Sequence, residues 1–226
     1  MAGLALLRRH TYTTQVTLGD AAPDGRARLD ALARYLQDTA YDDVRDAGLA
    51  ENGAWVVRRT RIDIERFPVF GEPITATTWC SGLGRLWAER RTSLAGVEST
   101  AIWIHLDPAT GRPRPLDDEQ LGIWRPSAGD RKVKARLTHP DPPDGARAHD
   151  WAFRRADLDI AQHVNNAAYL AVAEELRVLA APCTVEIEYR GAAQAGPTLV
   201  LDDGEYLWVC APDRTVHASI ALTMPQ

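Results

Sequence analysis

The sequence predicts an α+β protein made of two copies of one unit, each a helix wrapped by an antiparallel sheet, with the two sheets joined side by side. Three observations carry this. One order of elements occurs twice, once from residue 9 and again from residue 148: alternating strand, polar turn, apolar helix, paired strands. The strand segments alternate apolar and polar residues and are divided by Gly and Pro turns. Each helical segment is apolar on most of its faces, so it needs a curved sheet around it.

The first unit opens with RHTYTTQVTL, an alternating strand, followed by the turn GDAAPDG. Its helix carries Leu29, Leu32, Ala33, Leu36 and Ala40 at helical spacing, with Asp30 to cap the start and Gly48 to end it. RIDIERFPVFGEPITATTWC then reads as strand, Gly/Pro turn, strand, and the runs LWAERRTSL and STAIWIHLD supply two more. The second unit repeats this: a strand at AHDWAF, a polar turn, a helix containing Tyr169-Leu170, then TVEIEYRGAAQAGPTLVLDD, EYLWVC and TVHASIALTM. Aligning Tyr35-Leu36 with Tyr169-Leu170 pairs His163 with Leu29, Asn165 with Ala31 and Asn166 with Leu32. Each half is expected to be one long helix and about four strands. Residues 107–147, rich in Pro, Gly, Asp and Arg, read as a linker with one short helix near Asp117–Trp124.

Composition narrows the function classes. At 226 residues, 45% hydrophobic and 25% charged, the chain has the length and composition of a soluble globular protein with a substantial core. A net charge of −5 argues against nucleic-acid binding. No stretch approaches the roughly 20 apolar residues of a membrane span, and the run MAGLALLRRH is too short for a signal peptide, with its charges on the wrong side. Cys80, Cys183 and Cys210 form no CxxC motif and read as buried, reduced thiols of a cytoplasmic protein.

The chemistry-bearing stretch is DIAQHVNNAAYL, residues 159–170, where polar groups crowd the mouth of the second helix. Amides at a helix start bind anions, here those of Val164, Asn165 and Asn166. His163 can donate or accept a proton, and Asp159 can orient it or act as base. One of the two Asn residues is expected to be an N-cap, Asn166 being the better placed.

WVVRRTRIDIERFP, GEPITATTWCSGLGR, STAIWIHLDPATGRPRPL, DLDIAQHVNNAAYL and VEIEYR, in this order, resemble the acyl-acyl-carrier-protein thioesterases, the plant fatty-acyl chain terminators and their bacterial relatives. The resemblance runs from about residue 9 to 205. It implies a double hotdog fold, with an N-terminal hotdog over 1–106, the linker, and a C-terminal hotdog over 148–226. It implies hydrolysis of fatty-acyl thioesters on acyl carrier protein, without a cofactor or metal. The partner is then acyl carrier protein bearing an acyl-phosphopantetheine, with no nucleic acid or membrane, and a homodimer is left open. The family's catalytic Asp and His fall on Asp159 and His163. Its Asn falls on Ala161 and its Glu on Ala192, so two polar groups are absent.

Asp157, Glu174 and Glu175 are candidate replacements, Glu174 expected to be solvated, but the reading favours Asp159 in a double role. Leu29, Leu32, Trp79 and Trp103, with Trp87 beside them, are candidates for an acyl pocket. Because the carrier is acidic, a local basic face is expected at Arg58, Arg59 and Arg61, at Arg85, Arg90 and Arg91, or at Arg154 and Arg155. The competing readings are an acyl-CoA thioesterase and a catalytically degenerate acyl-thioester binder, for which Ala161 and Ala192 speak.

Overall fold

The computed structural model describes residues 7–224. The start of the N-terminal run, residues 1–6, lies outside them. Ten strands form one antiparallel sheet: β1 (His10–Gln15), β2 (Ala54–Ile64), β3 (Pro73–Leu83), β4 (Trp87–Leu94), β5 (Val97–Leu106), β6 (Arg147–Phe153), β7 (Cys183–Tyr189), β8 (Gly196–Asp202), β9 (Tyr206–Cys210) and β10 (Val216–Thr223). Their order is β1-β3-β4-β5-β2-β7-β10-β9-β8-β6. Read from either edge it is the same sequence of roles, so the halves are related by an internal two-fold axis at the β2–β7 junction. There Arg59 faces Glu188 and Ile64 faces Cys183 across the antiparallel pair. This is the repeated unit expected from sequence, with the sheets fused into one.

Two helices pack against this sheet, α1 (Leu29–Asp46) and α3 (Ala168–Leu176), and α2 (Asp118–Ala128) lies in the linker. Leu29, Leu32 and Leu36 of α1 and Tyr169, Leu170 and Val172 of α3 share one core with Ile62, Ile74, Val185, Ile187 and Ile220 of the strands. Burial of this apolar surface, at about 25 cal/mol per Å², is the main term holding helices to sheet. Among the described residues no helix is long and apolar enough to cross a membrane.

The helix ends depart from the sequence reading. Gly48, at φ 74°, does end α1: its N–H bonds Arg45 O, and the Leu49 N–H bonds Val44 O. Asp30 does not cap its start. Arg28 holds the capping position, and the Asp30 carboxylate pairs instead with Arg28 and Arg34. The second helix is not long: it stops after nine residues. Arg177 leaves helical geometry there, its guanidinium clamped on both oxygens of Asp202 at 2.9 and 2.6 Å, and Pro182 follows five residues on.

The linker is also more than a spacer. Asp117 caps α2 by accepting the Gln120 N–H, and α2 packs on β3. Residues 131–141 then cross the sheet face opposite the two main helices. Val133 O accepts the Trp87 indole N–H, Arg136 O accepts from Arg59, and Pro140 O accepts the Trp208 indole N–H. The buried Glu188 carboxylate takes the backbone N–H groups of Thr138 and His139 at 2.6 and 3.0 Å. β7 alternation explains the placement: Val185 and Ile187 face the core, so Glu186 and Glu188 face the strap.

The Arg177 clamp holds the Asp202 carboxyl down at about 2. A carboxylate with a lowered folded-state pKa contributes stability that is complete above the ordinary carboxylate range and is lost as pH falls toward the folded value. Acid unfolding of wild type should therefore steepen between about pH 5 and 2. Asp202→Asn should flatten that limb and leave the neutral-to-alkaline limb unchanged, as read by circular dichroism against pH.

Candidate active site

The stretch DIAQHV forms a closed loop. Leu158 and Val164 bridge across it, the Asp159 N–H bonds His163 O at 2.8 Å, and the Gln162 N–H bonds Asp159 O at 2.9 Å. Gln162 takes a left-handed φ of 61°. The Asp159 carboxylate turns onto its own loop, with Oδ1 accepting the N–H of Ala161 at 2.9 Å and of His163 at 3.4 Å. The side chains of Asp159 and His163 make no hydrogen bond to each other, and the His163 imidazole is exposed, without a partner among the described residues. Ala161 and Ala192 are both exposed.

Of the three amides expected to hold an oxyanion, two are taken. Val164 N–H bonds Ala193 O at 3.0 Å and Asn165 N–H bonds Asp157 O at 2.8 Å. The Asn166 N–H meets no acceptor among the described residues. Neither Asn is the N-cap: Ala167 holds that position without a side-chain cap, and Asn165 Oδ1 closes the turn before the helix by accepting the Ala167 N–H at 2.9 Å. Two tyrosines fix this turn from below. Tyr189 Oη donates to Asn166 O at 2.9 Å, and Tyr169 Oη accepts the Ala193 N–H at 3.0 Å. Burial pushes the Tyr169 hydroxyl up to about 12, so it stays protonated.

A cavity of about 340 Å³ runs beside this loop into the first half of the molecule. Gln37, Tyr41 and Val44 of α1, Cys80, Trp55, Trp103, Trp124 of α2, and the exposed Ile160 line it. A smaller space of about 30 Å³ lies next to it and shares Gln37, Arg90 and Trp103, with Asn166 and Tyr189 on its wall. Arg90 is held between them by Asp43 Oδ2 at 2.7 Å and Thr78 Oγ1 at 3.1 Å. The volume falls in the range of small-molecule sites. Cys80 is no nucleophile here, because burial pushes its thiol up to about 11.

Of the acyl-pocket candidates, Trp103 lines both spaces. Leu29 and Leu32 are sealed in the core and line neither, because the start of α1 is packed against α3 and the sheet. Trp79 lies on the opposite face of β3 from the buried Thr78 and Cys80, under the Arg9 guanidinium at 4.5 Å, and Trp87 faces the strap. The basic candidates are mostly engaged. Arg58 sits in a bulge of β2 and donates to Tyr189 O, Arg59 and Arg61 pair with Glu186 and Asp63, and Arg154 pairs with Asp157. Arg90 is buried. Arg155 is exposed beside the loop, with no ion pair among the described residues.

The hydrogen bonds also correct the register between the halves. The Leu158–Val164 bridge matches an Ala21–Ala27 bridge, Asp159 N–H to His163 O matches Ala22 N–H to Arg26 O, and Asn165 N–H to Asp157 O matches Arg28 N–H to Asp20 O. His163 therefore corresponds to Arg26 and Asn166 to Leu29, about one helical turn from the Tyr-Leu alignment. The first mouth is consequently not aliphatic. Glu174 of α3 reaches into it, one carboxylate oxygen on the Arg26 guanidinium at 2.5 Å and the other on the Leu29 N–H at 3.0 Å. Sequence reasoning placed Glu174 in solvent because its partners belong to the other half. Asp157 and Glu175 supply no replacement base either: Asp157 is held by Arg154 and Glu175 is exposed.

Comparison with known proteins agrees with this architecture. The model of the acyl-ACP thioesterase N-terminal domain matches residues 8–124, and that of the C-terminal domain matches residues 141–200. The chain belongs to the acyl-ACP thioesterase family. It is 31% identical over 216 residues to an uncharacterized protein of Mycobacterium tuberculosis, covering 88% of this chain and 86% of that one. It is 26% identical over 177 residues to the palmitoyl-acyl carrier protein thioesterase of Gossypium hirsutum, covering 65% of this chain and 42% of the plant protein. The chain thus spans under half the length of that plant relative. Among solved structures, an acyl-ACP thioesterase from Bacteroides thetaiotaomicron superposes with a TM-score of 0.79 at 16% identity, covering 95% of this chain and 98% of that one. The 12:0-ACP thioesterase from Umbellularia californica superposes at 0.75 and 21% identity, over 100% and 99% of the two chains. The fold is the double hotdog of these proteins.

Glu174→Ala should remove a cap and a charge-assisted pair, costing about 2 kcal/mol. The midpoint of thermal unfolding should fall by about 4–8 °C.

Proposed function

We propose that the chain hydrolyses fatty-acyl thioesters carried on acyl carrier protein and releases free fatty acid. The observation that carries this reading is the Asn166 N–H just before the second helix, which has no acceptor among the described residues, beside an apolar cavity reaching into the first half. The halves then divide the work: the first holds the acyl chain between α1 and the sheet, and the second supplies the chemistry. Family membership supports the substrate class. Buried, free thiols support a reducing, cytoplasmic setting.

A thioester is already reactive toward water, so the protein must place one water, take its proton and steady the oxyanion. The Asn166 N–H receives the developing negative charge on the carbonyl oxygen. Asp159 takes the proton as the water oxygen bonds to the carbonyl carbon. The C–S bond then breaks, and the pantetheine sulfur leaves with a proton as the free thiol. The exposed His163, on the same loop, relays to the sulfur the proton that Asp159 took. Arg155 stands next to the loop as a contact for the acidic carrier.

Asp159→Asn isolates the charge from the turn, because the Asn Oδ1 can accept the same Ala161 and His163 amides. It should lower turnover of a long-chain acyl thioester by about 10²–10⁴-fold with the melting temperature unchanged. Ala161→Asn should leave activity equal or higher. Equal rates for wild type and Asp159→Asn would make Asp159 a turn-former only. Binding without turnover on any acyl-carrier or acyl-CoA substrate would leave an acyl-thioester binder.

A further inference from the structure

A two-fold interface is reciprocal: when a residue of one half meets a partner in the other, its counterpart meets the counterpart of that partner. Here one of the two reciprocal contacts is filled and the other is open. Glu174 fills the first mouth, on Arg26 and on the Leu29 N–H. In the register fixed by the loop hydrogen bonds, Arg26 corresponds to His163 and Leu29 to Asn166. Carried into the helices, the same register sets Glu174 of α3 against Gln37 of α1. Gln37 is half-buried and lines both cavities, the smaller one together with Asn166. Among the described residues neither its side-chain amide nor the Asn166 N–H has a hydrogen-bond partner.

We propose that Gln37 is a catalytic residue of the second mouth, orienting the attacking water from the opposite half of the molecule. This rests on the hydrolase reading above. The difference between Glu and Gln at the two equivalent places gives the physical reason. A carboxylate at position 37 would sit on the Asn166 N–H as Glu174 sits on that of Leu29, and would close the oxyanion site. An amide carries no charge and offers one acceptor oxygen and two donor hydrogens. Its Oε1 accepts one hydrogen of the water while the other passes to Asp159, and its Nε2 is free to donate to the thioester oxygen alongside Asn166. The family resemblance places a side-chain amide on the loop at the position where this chain has Ala161. Gln37 brings one to the same mouth across the internal two-fold.

The test compares wild type, Gln37→Leu and Gln37→Glu, with kcat and KM for a long-chain acyl-carrier thioester. Affinity for the matching ketone analogue, in which a methylene replaces the sulfur, is measured in parallel. Gln37→Leu should lower kcat by about 10²-fold, with KM and analogue affinity within about threefold, as for loss of one oxyanion or water-orienting donor. Gln37→Glu should lower kcat at least as far and also weaken the analogue, because the carboxylate competes for the Asn166 N–H. If Gln37→Leu does not fold, Gln37→Glu decides. Unchanged kcat in either variant overturns the assignment, and so does a loss of kcat in Gln37→Leu matched by an equal loss of analogue affinity, which marks a wall residue. In both cases wild-type turnover leaves the hydrolase reading standing. A wild type that turns over no acyl thioester overturns both together.

Discussion

The carboxylate of Glu174, set on the first amide of α1 and on Arg26, is the contact that makes two similar halves unequal. A helix start exposes backbone N–H groups that seek negative charge. In the first half that demand is met from within the protein by a fixed side chain. In the second half the equivalent amide, that of Asn166, has no acceptor among the described residues, and Asn166 lies on the wall of a small cavity. One fold thus carries a filled and an unfilled version of the same anion site. The filled one is the template for the proposed use of the open one, which is to receive an oxygen bearing negative charge approached from the neighbouring helix.

The sheet makes this inequality possible. Fusing the two sheets at β2 and β7 brings α1 and α3 side by side in one core, so each helix can present residues to the mouth of the other. The strap of residues 131–141 covers the opposite face, with Glu188 pinned by two backbone amides, which leaves the helix side for the cavity. On that side the polar pair of Arg90 and Asp43 sits among apolar walls. The cavity's apolar wall comes mostly from the first half, and Asn166 and Tyr189 of the second half line the smaller space next to it.

Much of this was legible in the residues. Alternation and turn composition fix the strands, since a half-buried antiparallel strand leaves a period of two and its turns need Gly, Pro or Asp. The repeat announced the fused sheet, and DIAQHVNN marked the loop on which the proposed site rests. The register was misread because Tyr35-Leu36 and Tyr169-Leu170 are a local likeness, whereas the true anchors are backbone hydrogen bonds that carry no side-chain signature. One hint existed: Gly25 and Gln162 occupy equivalent left-handed positions, and only the first has the residue that geometry favours. The short second helix was hidden because the apolar run continues past its end, and Arg177 meets Asp202 only in three dimensions. Gln37 and Glu174 were invisible as site residues for the same reason. Each acts in the half to which it does not belong.

The most direct measurement is a crystal structure of the protein with the ketone analogue of a long-chain acyl-pantetheine. The account predicts the ketone oxygen within hydrogen-bond distance of the Asn166 N–H, the pantetheine leaving past the 159–163 loop, and the acyl chain between α1 and the sheet toward Trp103 and Trp124. An acyl chain lodged along α3 in the second half, or a ketone oxygen held away from the Asn166 N–H, would contradict it.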